Sequence, residues 1–178
     1  PTVAIQYFDT NQSTFNNSRS YDNLIGLTLE NSHHNNFTLS NFTTNTRGIT
    51  LTDSANNTFH TNYIQDNTQN GTMVLNSTQN LFYNNYFKGN GLPAYEDEDS
   101  LNDYNTTYNC SISGTNIIGG SCQGGNFWSG FTTTDSDGDG IGETPYNVTP
   151  FNNSSDSLPL TQTISCGTIT SNTKLIDG

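Results

Sequence analysis

A repeat of about 22 residues constrains this chain more than any other feature. Three glycines lie 22 and 23 residues apart, and a phenylalanine follows each of them after eleven residues. Other columns agree, and the alignment extends back to Ala4, which places Phe15 in the phenylalanine column. The aligned residues are Gly26, Gly48 and Gly71; Leu29, Leu51 and Val74; Ser32, Ser54 and Ser77; Phe37, Phe59 and Phe82; and Asn45, Asn67 and Asn90. Four repeats therefore run from about Ala4 to Asn90.

The residue types within a repeat predict β-structure. Apolar residues alternate with Thr, Ser or Asn, as in residues 48–52, and such short runs broken by Asn, Gly and Ser are typical of strands and tight turns. Asn, Thr, Ser and Gly are poor helix formers. A short period in an all-β pattern indicates a β-solenoid with coils of about 22 residues, whose Phe, Leu and Ile columns point inward and stack coil on coil.

The repeats end at about residue 92, and the sequence divides the chain further. Residues 1–92 hold four solenoid coils, and 93–109 are an acidic insertion loop containing Glu96-Asp97-Glu98-Asp99 and Asp103. Residues 110–130 resemble degenerate further coils. A calcium-loop segment follows at 131–160, and closing strands at 161–178.

The charge excludes two classes of partner. Sixteen acidic residues face four basic ones, for a net charge of −12 at pH 7. Such a surface repels nucleic acid phosphates and anionic lipids, so neither is expected as a partner. No run of residues approaches the apolar length of a membrane span. Ten Phe and nine Tyr, largely in register, argue against a disordered polar linker.

Asn and Asp occupy two further columns, which are expected at solenoid corners. One column is Asp9, Asn31, Asp53 and Asn76, and the other is Asn23, Asn45, Asn67 and Asn90. Both residue types tolerate a left-handed backbone and hydrogen-bond their own turns. A functional alternative makes Asp9 and Asp53 a glycosidase carboxylate pair. Asn31 between them favours the structural interpretation.

Residues 135–143 form the sharpest chemical motif, Asp-Ser-Asp-Gly-Asp-Gly-Ile-Gly-Glu. Carboxylates at the first, third and fifth positions, with glycine at the sixth, suit a calcium loop. The expected ligands are Asp135, Asp137, Asp139, the carbonyl of Ile141, and Glu143. Tyr146 stands where an EF-hand has its last Glu, and no flanking helices are indicated. An empty acidic turn is the alternative.

Cysteines and sequons point to an exported protein. Cys110, Cys122 and Cys166 match no zinc or redox motif; one pair is expected to be a disulfide, with Cys110–Cys122 favoured, and three buried thiols are the alternative. Asn-X-Ser/Thr triplets are candidate glycosylation sites, although an Asn-, Ser- and Thr-rich chain also produces them by composition. They begin at Asn11, Asn16, Asn36, Asn41, Asn56, Asn70, Asn76, Asn105, Asn109, Asn147, Asn152 and Asn153.

The repeats, with phrases such as Gly48-Ile49-Thr50-Leu51 and Asn84-Asn85-Tyr86-Phe87, resemble right-handed parallel β-helix repeats of the pectate-lyase-like superfamily. The tail, with Gly124-Gly125-Asn126-Phe127-Trp128-Ser129 followed by Asp135 to Tyr146 and then by Asp156 to Leu160, resembles a C-terminal signature of archaeal and bacterial surface proteins. Such repeats occur in carbohydrate-binding proteins, sugar hydrolases and the periplasmic copper-binding accessory protein of nitrous oxide reduction. The resemblance implies the fold, export to the cell surface and calcium, but no single activity.

The residues do not indicate an enzyme. No basic residue lies in register with acids as a lyase requires, and the carboxylates are scattered. His33, His34 and His60 fall in different columns and Met73 is alone, which disfavours copper. Two hypotheses remain. The first is a calcium-stabilised structural subunit of an extracellular layer, sheath or filament, which binds copies of itself. The second is a carbohydrate-binding module that presents Tyr63, Tyr83 and Tyr86 to a cell-surface polysaccharide. The structural hypothesis is favoured.

Overall fold

A computed structural model describes residues 2–111, 115–148 and 154–162. These residues form β-strands and turns, with no helix among them. The strands are β1 (Val3–Phe8), β2 (Thr14–Asn16), β3 (Arg19–Tyr21), β4 (Ile25–Glu30), β5 (Asn36–Thr38), β6 (Asn41–Thr43), β7 (Arg47–Thr52), β8 (Thr58–His60), β9 (Tyr63–Gln65), β10 (Asn70–Leu75), β11 (Thr78–Tyr83), β12 (Tyr86–Lys88), β13 (Leu92–Glu96), β14 (Leu101–Asp103), β15 (Phe127–Trp128), β16 (Tyr146–Asn147) and β17 (Ser155–Asp156).

The first fifteen strands build three parallel sheets. The first sheet has the order β1-β4-β7-β10-β13, the second β2-β5-β8-β11-β14 and the third β3-β6-β9-β12-β15. Because neighbours in each sheet are three strands apart along the chain, the backbone passes through all three sheets in turn, and each circuit is one coil. Strand pairing joins residues 22 or 23 apart, as in Val3↔Ile25 and Asn70↔Arg47. The predicted β-solenoid is confirmed, and it has five coils.

The inward columns of side chains form the core that the repeat predicts. Phe37, Phe59 and Phe82 are fully buried and stack at centroid distances of 4.8 and 4.7 Å. Phe15 begins the column 6.0 Å from Phe37, and Tyr104 continues it 5.0 Å from Phe82. The register of the phenylalanines is therefore confirmed, and stacking gives each thin coil a continuous core.

Buried Ser and Asn side chains join each coil to the next through four hydrogen-bond ladders. In each ladder the backbone N–H of one residue donates to the side-chain oxygen of its equivalent one coil later, at 2.9 to 3.2 Å in Ser54–Ser77, Asn57–Asn80 and Ser18–Ser40. The ladders run through Ser32, Ser54, Ser77 and Ser100; Asn35, Asn57, Asn80 and Asn102; Ser40, Asn62, Asn85 and Asn126; and Asn45, Asn67 and Asn90. Corner amides that no strand pairs are thereby satisfied.

The two predicted corner columns differ in structure. Asp9, Asn31, Asp53 and Asn76 all have the expected left-handed backbone, with φ between 45° and 49°. The column from Asn23 to Asn90 does not, because these asparagines are ladder residues. The left-handed position falls one residue earlier, at Asp22, Thr44, Asp66 and Gly89.

The predicted acidic insertion at 93–109 is wrong in its position. Residues 92–103 form β13 and β14 of a fifth coil, in which Ala94 and Glu96 are buried. The interruption lies instead between β14 and β15, since Tyr86 pairs with Phe127 across 41 residues. Degenerate coils are expected at 110–130, and among the described residues of that range only β15 belongs to a parallel sheet.

The two ends of the solenoid are different. Beyond the fifth coil, β16 and β17 pair antiparallel, and Tyr146 stacks on Trp128 at 4.1 Å. These strands, with 158–160, form a cap over the core. At the other end no described strand covers β1–β3, and Val3, Phe8, Tyr21 and Leu24 are 39%, 56%, 62% and 42% exposed.

Candidate functional site

A groove lies on the outward face of the third sheet and spans its first three coils. It has a volume of about 420 Å³. The inward residues of these strands are Ser20, Phe42 and Ile64, so the residues on either side of each point to solvent. The lining residues are Arg19, Tyr21, Asn41, Thr43, Thr44 and Gln65. The sequence analysis missed this groove, although the alternate positions of β3, β6 and β9 could have indicated it.

The three tyrosines suggested for sugar binding do not lie together. Tyr63 and Tyr86 are neighbours on the third sheet, with centroids 5.5 Å apart and ring planes tilted by 45°, and Tyr86 stacks on Phe127. Tyr83 lies on the second sheet, where it stacks on His60 at 5.1 Å. Only Tyr63 and Tyr86 therefore share a face with the groove.

The acidic loop brings together three of the predicted calcium ligands. Carboxylate oxygens of Asp135, Asp137 and Asp139 lie within 4.8 Å of one another. Asp135 also accepts hydrogen bonds from the N–H groups of Gly138, Asp139 and Gly140. Ile141 is buried, and its N–H donates to Asp139.

Glu143, the last of the predicted ligands, links two parts of this loop. Its carboxylate accepts a hydrogen bond from the Ser136 N–H at 2.6 Å and another from the Thr134 hydroxyl. These bonds, led by that from Thr134, lower the pKa of Glu143. The carboxylate therefore holds the two sides of the loop together.

A disulfide joins Cys110 to Cys122, the pair that the sequence favours. Backbone hydrogen bonds between Asn109 and Gln123 in both directions flank it. Its sulfurs lie within 4.8 Å of an Asp139 oxygen, so the disulfide-bonded loop packs against the acidic loop. Cys166 lies outside the described residues.

Ten of the twelve sequon asparagines are described, and none of them is buried. Asn11, Asn16, Asn56, Asn76, Asn109 and Asn147 are exposed, whereas Asn36, Asn41, Asn70 and Asn105 are partly covered. Asn152 and Asn153 lie outside the described ranges. Glycans at the six exposed positions would therefore meet no steric barrier from the core.

The carboxylates of the coils are engaged in structural contacts. Asp9 accepts a hydrogen bond from the Asn31 amide, and Asp53 accepts one from Asn76. Glu96 accepts hydrogen bonds from the Tyr104 hydroxyl at 2.9 Å and from Ser154 at 2.6 Å. These contacts between successive coils give Asp9 and Asp53 a structural role, which competes with the interpretation of the two residues as a glycosidase pair.

Comparison with known proteins adds the family. A family model described as periplasmic copper-binding protein (NosD) matches residues 3–133, which include all five coils. The chain belongs to the NosD family. No curated protein and no solved structure matches this NosD-family chain significantly. No helix in its described ranges is long and apolar enough to cross a membrane.

The donor set among the described residues of this NosD-family chain does not fit copper. Protein copper sites gather imidazole and sulfur ligands. His33 uses Nδ1 to accept the Ala55 N–H at 3.1 Å, and His60 stacks on Tyr83, where burial lowers its pKa. No histidine belongs to a three-ligand cluster in the part of the chain that is described. Cys110 and Cys122 are held in the disulfide, so their thiolates are not free to bind a metal.

Proposed function

We propose that this protein is a non-catalytic structural subunit of an extracellular assembly, and that it binds copies of itself and is stabilised by calcium. Export is supported by the periplasmic description of the NosD family and by the resemblance of the tail to surface proteins. The observation that carries the proposal is the difference between the two ends. A cap closes one end of the solenoid, whereas within the described residues β1–β3 of the first coil have unpaired strand edges and exposed apolar side chains.

Contact through the first coil is the self-association that this geometry favours. Ile5, Tyr7 and Phe15 belong to the core but are only partly buried, because no coil covers them within the described residues. A second copy that stacks its own first coil there would bury these side chains and pair the strand edges. Such a contact joins two copies, and contacts through other surfaces would extend the assembly.

Light scattering of the purified protein tests self-association. We expect a mass at least twice that of one chain, and we expect Val3→Lys with Phe8→Lys to reduce it to one chain, because both side chains are exposed on β1. Leu39→Lys is the matched control, since Leu39 is 60% exposed on the second coil. A wild-type protein that remains a single chain, with and without calcium, would contradict the proposal.

Calcium should stabilise the cap through the acidic loop. Three carboxylates within 4.8 Å of one another repel each other, and a hard cation would remove that cost. We expect calcium to raise the melting temperature of the wild type but not of Asp137→Asn. Asp99→Asn, an exposed acid in the turn between β13 and β14, should respond as the wild type does. An equal response of all three proteins would place the calcium effect outside this loop.

A further inference from the structure

The groove on the third sheet combines polar groups, an aromatic ring and a balanced local charge. We infer that it binds an uncharged polysaccharide, which goes beyond the proposed structural role. The inference depends on the shape of the groove, on its hydrogen-bonding groups and on the charge around it.

The shape arises from small residues between large ones. Along one outward column Arg19 is followed by Asn41 and then Tyr63, and along the other Tyr21 is followed by Thr43 and then Gln65. Asn41 and Thr43 leave a depression in the middle coil. Neighbouring coils are about 4.8 Å apart, so the depression and its flanks extend for about 10 Å along the solenoid axis. This length fits a disaccharide unit of a chain that lies parallel to the axis.

The lining supplies the groups that recognise sugar hydroxyls. The Arg19 guanidinium donates hydrogen bonds, and amides and hydroxyls of Asn41, Thr43 and Gln65 both donate and accept. The Oδ1 atom of Asn41 is shielded from solvent and has no hydrogen-bond partner among the described residues. Because that atom is shielded, hydrogen bonds to a ligand would come from the exposed groups of the lining.

One aromatic ring lines the groove, and another lies on the same face of the sheet. Tyr21 is 62% exposed and Tyr63 38% exposed. Tyr86 covers one side of Tyr63, and the preceding residue in that column is Asn41, so the other side of the ring has no aromatic neighbour in the described part of the chain. Apolar ring surface next to convergent polar groups is typical of small-molecule sites.

The charge of the protein favours uncharged polysaccharides over acidic ones. The outward positions of β3, β6, β9 and β12 include Arg19 and Lys88 but no acid. Asp22 and Asp66 flank the groove in the corner column that contains Thr44, and the Asp22 carboxylate accepts the Thr44 hydroxyl at 2.9 Å. The whole chain nevertheless carries a net charge of −12, which repels polyanions. An uncharged chain has access to the donors of the groove without that repulsion.

Calorimetric titration with defined oligosaccharides tests the inference. The probes are the neutral hexamers cellohexaose, maltohexaose and mannohexaose, and the acidic hexamer hexagalacturonate. We expect at least one neutral hexamer to bind, and we expect Tyr21→Ala and Arg19→Gln each to weaken that binding about tenfold, since ring and guanidinium contacts dominate such sites. Tyr83→Ala, on the second sheet, is the control for loss of a tyrosine and should bind as the wild type does.

Three outcomes would overturn the inference. They are binding of none of the neutral hexamers, binding of hexagalacturonate alone, and an equal loss of affinity in Tyr83→Ala and Tyr21→Ala. Circular dichroism of each variant checks that the solenoid is folded. The mass measured by light scattering is independent of these titrations, so failure of sugar binding and failure of self-association are distinguishable.

Discussion

At the scale of single residues, Asn62 illustrates how a buried amide can serve three partners. Its Oδ1 accepts the Ser40 N–H at 3.0 Å, and its Nδ2 donates to the Phe37 carbonyl at 2.9 Å and to Asn85 Oδ1 at 3.1 Å. All of this occurs at a position with no solvent exposure. A polar side chain can therefore belong to the interior when its hydrogen bonds are satisfied. This explains how a chain with few apolar residues can fold.

We expect Asn62→Ala to destabilise the solenoid by about 2–4 kcal/mol, because the Ser40 N–H and the Phe37 carbonyl would remain buried without these partners. Urea unfolding measures the change. Asn16→Ala is the matched control, since Asn16 is exposed on β2. If the two substitutions cost the same, the ladder does not contribute as argued.

The repeat predicts the placement of single residues well where a column contains one residue type. It places Phe15, Phe37, Phe59 and Phe82 in one inward stack, because apolar residues at a fixed period must face the same side. It fails at Glu96, which pairs with Val74 and takes the inward position that Leu29 and Leu51 hold in earlier coils. A carboxylate in a core column is typical of a loop in the sequence, whereas in the structure hydrogen bonds from Tyr104, Asn102 and Ser154 stabilise its burial.

At the scale of elements, the cap uses the same hydrogen bond as the ladders. Asp156 Oδ2 accepts the Asn126 N–H at 2.7 Å, where an asparagine of a sixth coil would otherwise stand, and it also accepts the Trp128 indole N–H at 2.7 Å. Leu160 pairs with Phe127 on one side and with Ile141 on the other. The sequence motif around Asp156 gave no indication of this role, because its partners are 28 and 30 residues away.

We expect the cap to make the fold more stable at mildly acidic pH. Burial raises the pKa of Asp156 to about 6, although hydrogen bonds from Asn126 and Trp128 oppose that rise. The folded protein therefore binds this proton at a higher pH than the unfolded chain does, so the contribution to stability grows as the pH falls through about 6, by up to about 3 kcal/mol.

Urea unfolding at about pH 7.5 and about pH 5 tests this prediction. Lower pH also reduces the repulsion within a chain of net charge −12, so the wild type alone does not isolate Asp156. The comparison with Asp156→Asn does, because that side chain has the same shape but no titrating group. The variant should gain less stability at acidic pH than the wild type, and an equal gain would refute the assignment to Asp156.

At the scale of the whole molecule, membership of the NosD family indicates the architecture. What each member binds depends on the residues on its own surface. The periodic part of the chain made the solenoid predictable from sequence. The fifth coil was not predictable from the sequence. Its strand β15 pairs with β12 at a sequence offset of 41 residues instead of 22 or 23, and β13 runs into an acidic segment that is typical of a loop. The groove was also missed, since it depends on side chains from three coils that only the folded structure brings together.

The ladders have a consequence for how such a gene can change. Each coil presents the same set of hydrogen-bond donors and acceptors to the next coil. Asn35, Asn57 and Asn80, for example, make equivalent hydrogen bonds in successive coils. Duplication or deletion of the codons for one full turn would leave each remaining corner amide with an acceptor, whereas a partial turn would break all four series at once. Evolution of the length of this protein is therefore expected to proceed in whole-turn steps, with smaller insertions confined to corners such as the one between β14 and β15.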